Sequence, residues 1–73
     1  MPLSMVEPNK EVRLVSIRGG GRMKRRLADL GLNIGMTMKV VRQNGQGPMI
    51  IAVKESRLAI GKGMASRIIV ETI

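Results

Sequence analysis

Apolar and polar residues alternate along much of this chain, with the period of two that is typical of a β-strand buried on one face. The alternation predicts five short strands, over residues 11–18, 37–43, 49–53, 57–60 and 67–71. Later in the chain, the side chains predicted to face the core are Met38, Val40, Met49, Ile51, Val53, Ile68 and Val70. In the first strand, Val12 and Leu14 fall on one face. Val15 and Ile17 fall on the other, so this strand is predicted to be covered on parts of both faces.

Between the first and second strands the apolar period changes to that of a helix. Met23, Leu27 and Leu30 recur at intervals of four and three residues, so they share one face of a helix over residues 22–30. That face is predicted to pack against the strands. Gly31 follows the last turn, where a glycine in the left-handed conformation commonly caps a helix. Three further apolar residues are predicted to be core rather than an exposed lip: Leu32, Ile34 and Met36.

Glycine, proline and asparagine mark the predicted turns. These turns lie at Pro8 and Asn9, at Gly35, at a hairpin of Asn44 and Gly45 lengthened by Gly47, near Lys54, and over residues 61–65 as a turn or a single helical turn. Residues 3–6 are interpreted as a brief edge strand or a turn. We predict a single domain over residues 1–73, mostly β: a small barrel of about five strands with one inserted short α-helix, whose closure protects the strand edges.

Three consecutive glycines, Gly19, Gly20 and Gly21, stand directly before the predicted helix and have two interpretations. A glycine-rich loop at a helix N-terminus can bind phosphate. However, a P-loop ends in Gly-Lys-Ser/Thr, and the dinucleotide fingerprint needs glycine where Lys24 stands. The spacing therefore favours a structural corner between strand and helix.

The residue inventory argues against an enzyme. The 73 residues include neither histidine nor cysteine, so the commonest general base, nucleophile and transition-metal ligands are missing. The five acidic residues are spread along the chain without a paired motif: Glu7, Glu11, Asp29, Glu55 and Glu71. We predict no catalytic residue, cofactor, metal site or small-molecule substrate. Weak metal binding by a carboxylate such as Asp29 is left open.

A formal charge of +8 indicates attraction to an anionic surface, which could be nucleic acid, an acidic protein or an anionic membrane leaflet. The basic residues of the predicted helix are the candidate partner contacts, and the alternative is an ordinary solvated face: Arg22, Lys24, Arg25 and Arg26. The chain has no aromatic residue on which nucleic-acid bases could stack. A nucleic-acid partner is therefore the second choice.

The order of these motifs resembles one known family. The motifs are Ile17-Arg18-Gly19-Gly20, then Arg26-Leu27-Ala28-Asp29-Leu30-Gly31-Leu32, Gly35, Gly47-Pro48, Arg57-Leu58-Ala59-Ile60 and a closing stretch over residues 65–70. Together they span nearly the whole chain and resemble the FeoA family of ferrous iron transport proteins.

The resemblance implies an SH3-like barrel with an inserted helix, and a cytoplasmic accessory role in ferrous iron uptake. The implied partner is FeoB, the membrane GTPase and iron permease of that system, which the chain would regulate while lying at the inner membrane surface through this partner. No apolar run approaches 18 residues and no signal peptide is recognisable, which agrees with a cytoplasmic location. A transition-metal sensor domain is a further alternative, since similar domains end some metal-dependent repressors.

Overall fold

The structure is a computed structural model that describes residues 1–43, 45 and 47–73. Its elements in chain order are a 3-10 helix at Leu3–Met5, β1 at Glu11–Ile17, α1 at Gly21–Asp29, β2 at Thr37–Gln43, β3 at Met49–Val53, β4 at Ser56–Ile60, α2 at Lys62–Ala65 and β5 at Ile68–Thr72. The predicted mostly-β class is confirmed, and each predicted strand or long helix is displaced by at most one residue. The predicted Asn44 hairpin position lies outside the described residues, whereas Gly45 lies in a turn.

The five strands form one antiparallel sheet in the order β4-β3-β2-β1-β5. Strand β2 joins the two halves of this sheet. Its first residues pair with β1 and its later residues with β3, and a register shift separates Val40 from Arg42. A bulge of this kind increases strand bending and twist, which lets a short sheet wrap around its own core.

The core is aliphatic, as the composition requires. Every inward position predicted for β2, β3 and β5 is buried, and α1 and the loop that follows it add one leucine each, Leu27 and Leu32. Among the described residues, no polar or charged side chain is buried. The polar and charged side chains of the described residues therefore all have some contact with solvent.

A bulge in β1 changes one prediction. Ile17 was expected on the face opposite Val12 and Leu14, but it packs against the core. The pairing with β5 shifts between Leu14 and Ser16, which inserts one residue and moves Ile17 to the inner face opposite Ile68. Val15 stays outward and is 42% exposed.

The N-terminal residues cover the outer edge of β5. The Met1 nitrogen donates a hydrogen bond to the Val70 carbonyl at 2.8 Å, and the Val70 amide donates to the Met1 carbonyl at 2.7 Å. Leu3, in the 3-10 helix, is fully buried. Strands β4 and β5 stand at the two ends of the strand order, and among the described residues no ladder joins them to close the barrel. The expectation that closure of the barrel protects the strand edges is wrong for the outer edge of β5, because the N-terminal segment covers that edge.

Candidate functional site

Helix α1 is the element that carries the predicted contact residues, and its start depends on Gly19. Gly19 has φ +129°, and a Cβ built on it would lie 3.2 Å from the Met23 Cβ. A side chain there would be strained in backbone angle and crowded by the helix. Gly20 is extended and Gly21 is the first helical residue, and neither has a neighbour that would meet a Cβ. Gly19 is therefore the glycine that the corner between β1 and α1 requires.

The end of α1 is a Schellman cap. The Gly31 amide donates to the Ala28 carbonyl and the Leu32 amide to the Leu27 carbonyl, both at 2.9 Å. Gly31 has φ +89°, the left-handed conformation that this cap needs. The cap returns Leu32 to the core, where it is 1% exposed.

The inner face of α1 is narrower than predicted. Leu27 is fully buried and Met23 packs against the core, but Leu30 is 42% exposed. The chain turns at Gly31 directly after Leu30, and Leu32 enters the core in its place. Of the three residues after the helix that were predicted as core, Ile34 is 60% exposed, so that prediction is wrong for it.

The four basic side chains of α1 are all exposed, and we call them the basic face: Arg22, Lys24, Arg25 and Arg26. Within the described residues, the ion pair present is Arg13 with Glu71 at 3.2 Å, on the β1–β5 ladder. Asp29 is exposed and lies one helical turn after Arg25. Among the described residues, Asp29 forms no ion pair with Arg25. The positive charge of the basic face is therefore not neutralised by the described residues.

Two further arginines lie next to one another at the end of the sheet from which the chain leads into α1. The Arg18 amide donates to the Arg67 carbonyl at 2.7 Å, and both residues are exposed. They are far apart in sequence and meet because the first and last strands pair antiparallel. Sequence reasoning missed this pair. The only available signal was the basic residue that follows the first strand and the one that precedes the last.

The opposite end of the β1–β5 pair carries acidic residues. An open cleft of about 590 Å³ is lined by Glu7 and Glu11, together with Met5, Lys10 and Ile73 among others. Across the described residues, no group of three or more His, Cys, Asp or Glu side chains is arranged to hold a metal ion. The residues that line this cleft include neither Arg18 and Arg67 nor any residue of the basic face.

Comparison with known proteins identifies the family of this basic-faced barrel. The FeoA domain family matches residues 1–72. The chain belongs to the FeoA family. A relative in Methanocaldococcus jannaschii, "Putative Fe(2+) transport protein A", is 43% identical over 70 residues, which cover 96% of this chain and 84% of the relative.

Solved structures agree with the FeoA assignment and confirm the SH3-like barrel. The crystal structure of an iron uptake regulatory protein (FeoA) is 38% identical, with a TM-score of 0.94 over 100% of this chain and 97% of the other. The manganese regulator SloR contains a similar barrel, with a TM-score of 0.88 and 18% identity, over 99% of this chain and 34% of the regulator. The latter likeness concerns the fold alone. In the part of this FeoA chain that the structure describes, no helix is long and apolar enough to cross a membrane.

Proposed function

We propose that this FeoA-family chain is a non-enzymatic accessory protein of ferrous iron uptake, which acts in the cytoplasm by docking on the membrane GTPase and iron transporter FeoB and regulating it. The observation that carries the proposal is the family match over residues 1–72. It is supported by the relatives, whose names are those of an Fe(2+) transport protein and an iron uptake regulatory protein. The chain itself contributes no histidine or cysteine for chemistry.

The basic face is the proposed contact with the transporter. Its four cations are exposed and carry no compensating ion pair among the described residues, so an acidic surface would gain attraction without first breaking an internal pair. Such contacts mainly raise the association rate and are screened by salt. A partner that holds the chain in this way would also keep it close to the inner membrane surface.

Co-purification with the tagged FeoB transporter tests this proposal. The variant Arg22→Glu/Arg25→Glu/Arg26→Glu should lose most of the recovery, because three attractive charges become repulsive. Recovery of the unmodified chain should also fall as sodium chloride is raised above about 150 mM, where exposed charges are screened beyond about 8 Å.

A matched control separates a specific face from net charge. The variant Lys10→Glu/Lys39→Glu/Arg42→Glu changes the net charge by the same amount at exposed positions, two on β2 and one in the turn before β1. It should be recovered with the transporter far better than the α1 variant. Equal recovery of the two variants would remove the basic face from the proposal, and failure of the unmodified chain to co-purify in detergent or in membranes would overturn docking itself.

A small basic barrel that binds nucleic acid is the alternative favoured by the +8 charge. Filter binding of duplex and single-stranded DNA at about 150 mM salt distinguishes the two proposals. Nonspecific attraction to phosphates falls steeply with salt. If DNA binding is absent at about 150 mM salt, the transporter proposal therefore stays in place.

A further inference from the structure

One flank of α1 places two arginines and an aliphatic residue in a row. Arg22, Arg26 and Leu30 are spaced four residues apart, and each successive side chain is rotated by about 40° around the helix. They therefore form a continuous ridge. Lys24 lies on the other flank, on the far side of the buried Leu27.

The loop that follows the ridge carries a second exposed aliphatic residue, Ile34, and we call Leu30 and Ile34 the aliphatic tip. Leu30 is 42% exposed and Ile34 is 60% exposed. The short loop that holds Ile34 is anchored at both ends, by the cap at Gly31 and by the Gly35 amide, which donates to the Leu14 carbonyl at 2.8 Å. The two aliphatic side chains are thus presented on a fixed backbone.

Another cation borders this tip. A depression of about 190 Å³ has Leu30 and Gly31 on one side and Lys54, in the β3–β4 turn, on another. The acidic residues nearest in sequence to these elements are Asp29 and Glu55, both exposed. Arg22, Arg26 and Lys54 leave the surface with a positive balance.

We infer that this ridge, formed by Arg22, Arg26, Leu30 and Ile34, binds directly to the surface of an anionic lipid bilayer. Arginine and lysine beside an anionic leaflet are each attracted to its surface, and neighbouring aliphatic side chains enter the boundary between headgroups and acyl chains. The ridge offers both in one line. A nucleic-acid backbone would use the cations but would leave Leu30 and Ile34 without an apolar environment.

The inference goes beyond the proposed function, because it requires no protein partner. Binding along one flank of α1 leaves Lys24 and Arg25 accessible to a transporter in the same membrane. Vesicles without protein test the lipid contact alone, whereas detergent-solubilised transporter tests docking alone. The two proposals can therefore fail separately.

The experiment is co-sedimentation of the purified chain with vesicles of phosphatidylcholine containing about one-third phosphatidylglycerol, at about 100 mM salt. We expect binding to these vesicles and none to pure phosphatidylcholine. Arg26→Glu should lower the partition coefficient about 25-fold, since it changes the charge by two units and each unit is equivalent to a factor of about five. Lys24→Glu makes the same change in net charge on the other flank of α1. The loss in partition coefficient should be several times smaller for this variant than for Arg26→Glu.

A matched pair of isoleucine variants tests the aliphatic part of the ridge. Ile34→Ser should lower partitioning about tenfold because one partly buried isoleucine is lost from the boundary region. Ile73→Ser replaces an isoleucine of similar exposure, 64%, beside the acidic cleft, and should leave binding unchanged. Circular dichroism of each variant verifies folding.

Several results would overturn the inference. Absence of sedimentation with anionic vesicles would do so directly. Equal losses from Arg26→Glu and Lys24→Glu would reduce the effect to net charge, and equal behaviour of the two isoleucine variants would remove the insertion of Ile34. If duplex DNA bound with the same dependence on Arg26 and vesicles did not bind, the ridge would be a nucleic-acid contact instead.

Discussion

At the scale of single residues, the glycines of this chain have unequal importance. Gly19, Gly31 and Gly35 have positive φ, where other residues are strained. At Gly31 the space for a Cβ is open, so the cost of a side chain would come from backbone conformation alone. Gly63, within α2, also has open space but no such conformation. Comparison of the two positions isolates the backbone contribution.

Gly31→Ala should therefore lower the free energy of unfolding by about 1 to 2 kcal/mol, the cost of a left-handed alanine. Gly63→Ala should raise it by about 0.5 kcal/mol, because alanine loses less conformational entropy in a helix. Urea denaturation followed by circular dichroism measures both. A lower free energy of unfolding for Gly63→Ala would contradict the assignment of these conformations. An unchanged free energy of unfolding for Gly31→Ala would contradict it as well.

At the scale of elements, the residues before β1 act as an extra edge for the sheet. They are joined to β5 through the hydrogen bonds between Met1 and Val70 and through the bridge between Pro2 and Ile69. The side-chain amide of Gln43, at the end of β2, donates to the Ser4 carbonyl. Burial of Leu3 and Val6 holds this segment in place, so edge protection depends on two apolar anchors.

Leu3→Ala should destabilise the fold by about 3 kcal/mol, since it removes a fully buried side chain and leaves a cavity. The amide of Val70, whose acceptor is the Met1 carbonyl, should then exchange with solvent faster than the amides of the β2–β3 ladder. Hydrogen exchange measured by NMR tests both statements. Met5→Ala, at a position 67% exposed in the same segment, is the control and should change stability by less than about 0.5 kcal/mol.

At the scale of the whole molecule, the dominant feature is uncompensated positive charge. The 13 basic residues exceed the five acidic ones, and Arg13 with Glu71 is the ion pair within the described residues. Like charges at a spacing of four residues, as at Arg22 and Arg26, destabilise an isolated helix. Self-repulsion therefore opposes folding, and the same charge attracts anionic partners.

Added salt should stabilise this chain. Raising sodium chloride from about 10 to about 150 mM shortens the screening length from about 30 to about 8 Å, and we expect a gain of about 1 kcal/mol in the free energy of unfolding. In the variant Arg22→Glu/Arg25→Glu/Arg26→Glu each substitution changes the charge by two, so the net charge falls from +8 to +2. The gain should largely disappear in that variant. A salt effect of the same size in both proteins would show that repulsion around α1 is not its source.

The local patterns of the sequence were enough to predict the strands, α1 and the residues that face the core in β2, β3 and β5. Alternation with a period of two and the spacing of Met23 and Leu27 are properties of neighbouring residues, and they reflect the geometry of each element by itself. The basic face was predicted in the same way. Its side chains are exposed because they project from the outer side and the two flanks of α1, away from the stripe formed by Met23 and Leu27.

Only the tertiary structure decided the features that depend on distant pairing. The bulge in β1 turned Ile17 inward, because pairing with β5 sets the register there. Leu30 and Ile34 were predicted to face the core, but the packing of α1 and its following loop left both side chains exposed, and they form the aliphatic tip of the ridge. Arg18 and Arg67 became neighbours through the same β1–β5 ladder. Local sequence determines which elements form, whereas packing between distant segments selects the side chains that remain on the surface.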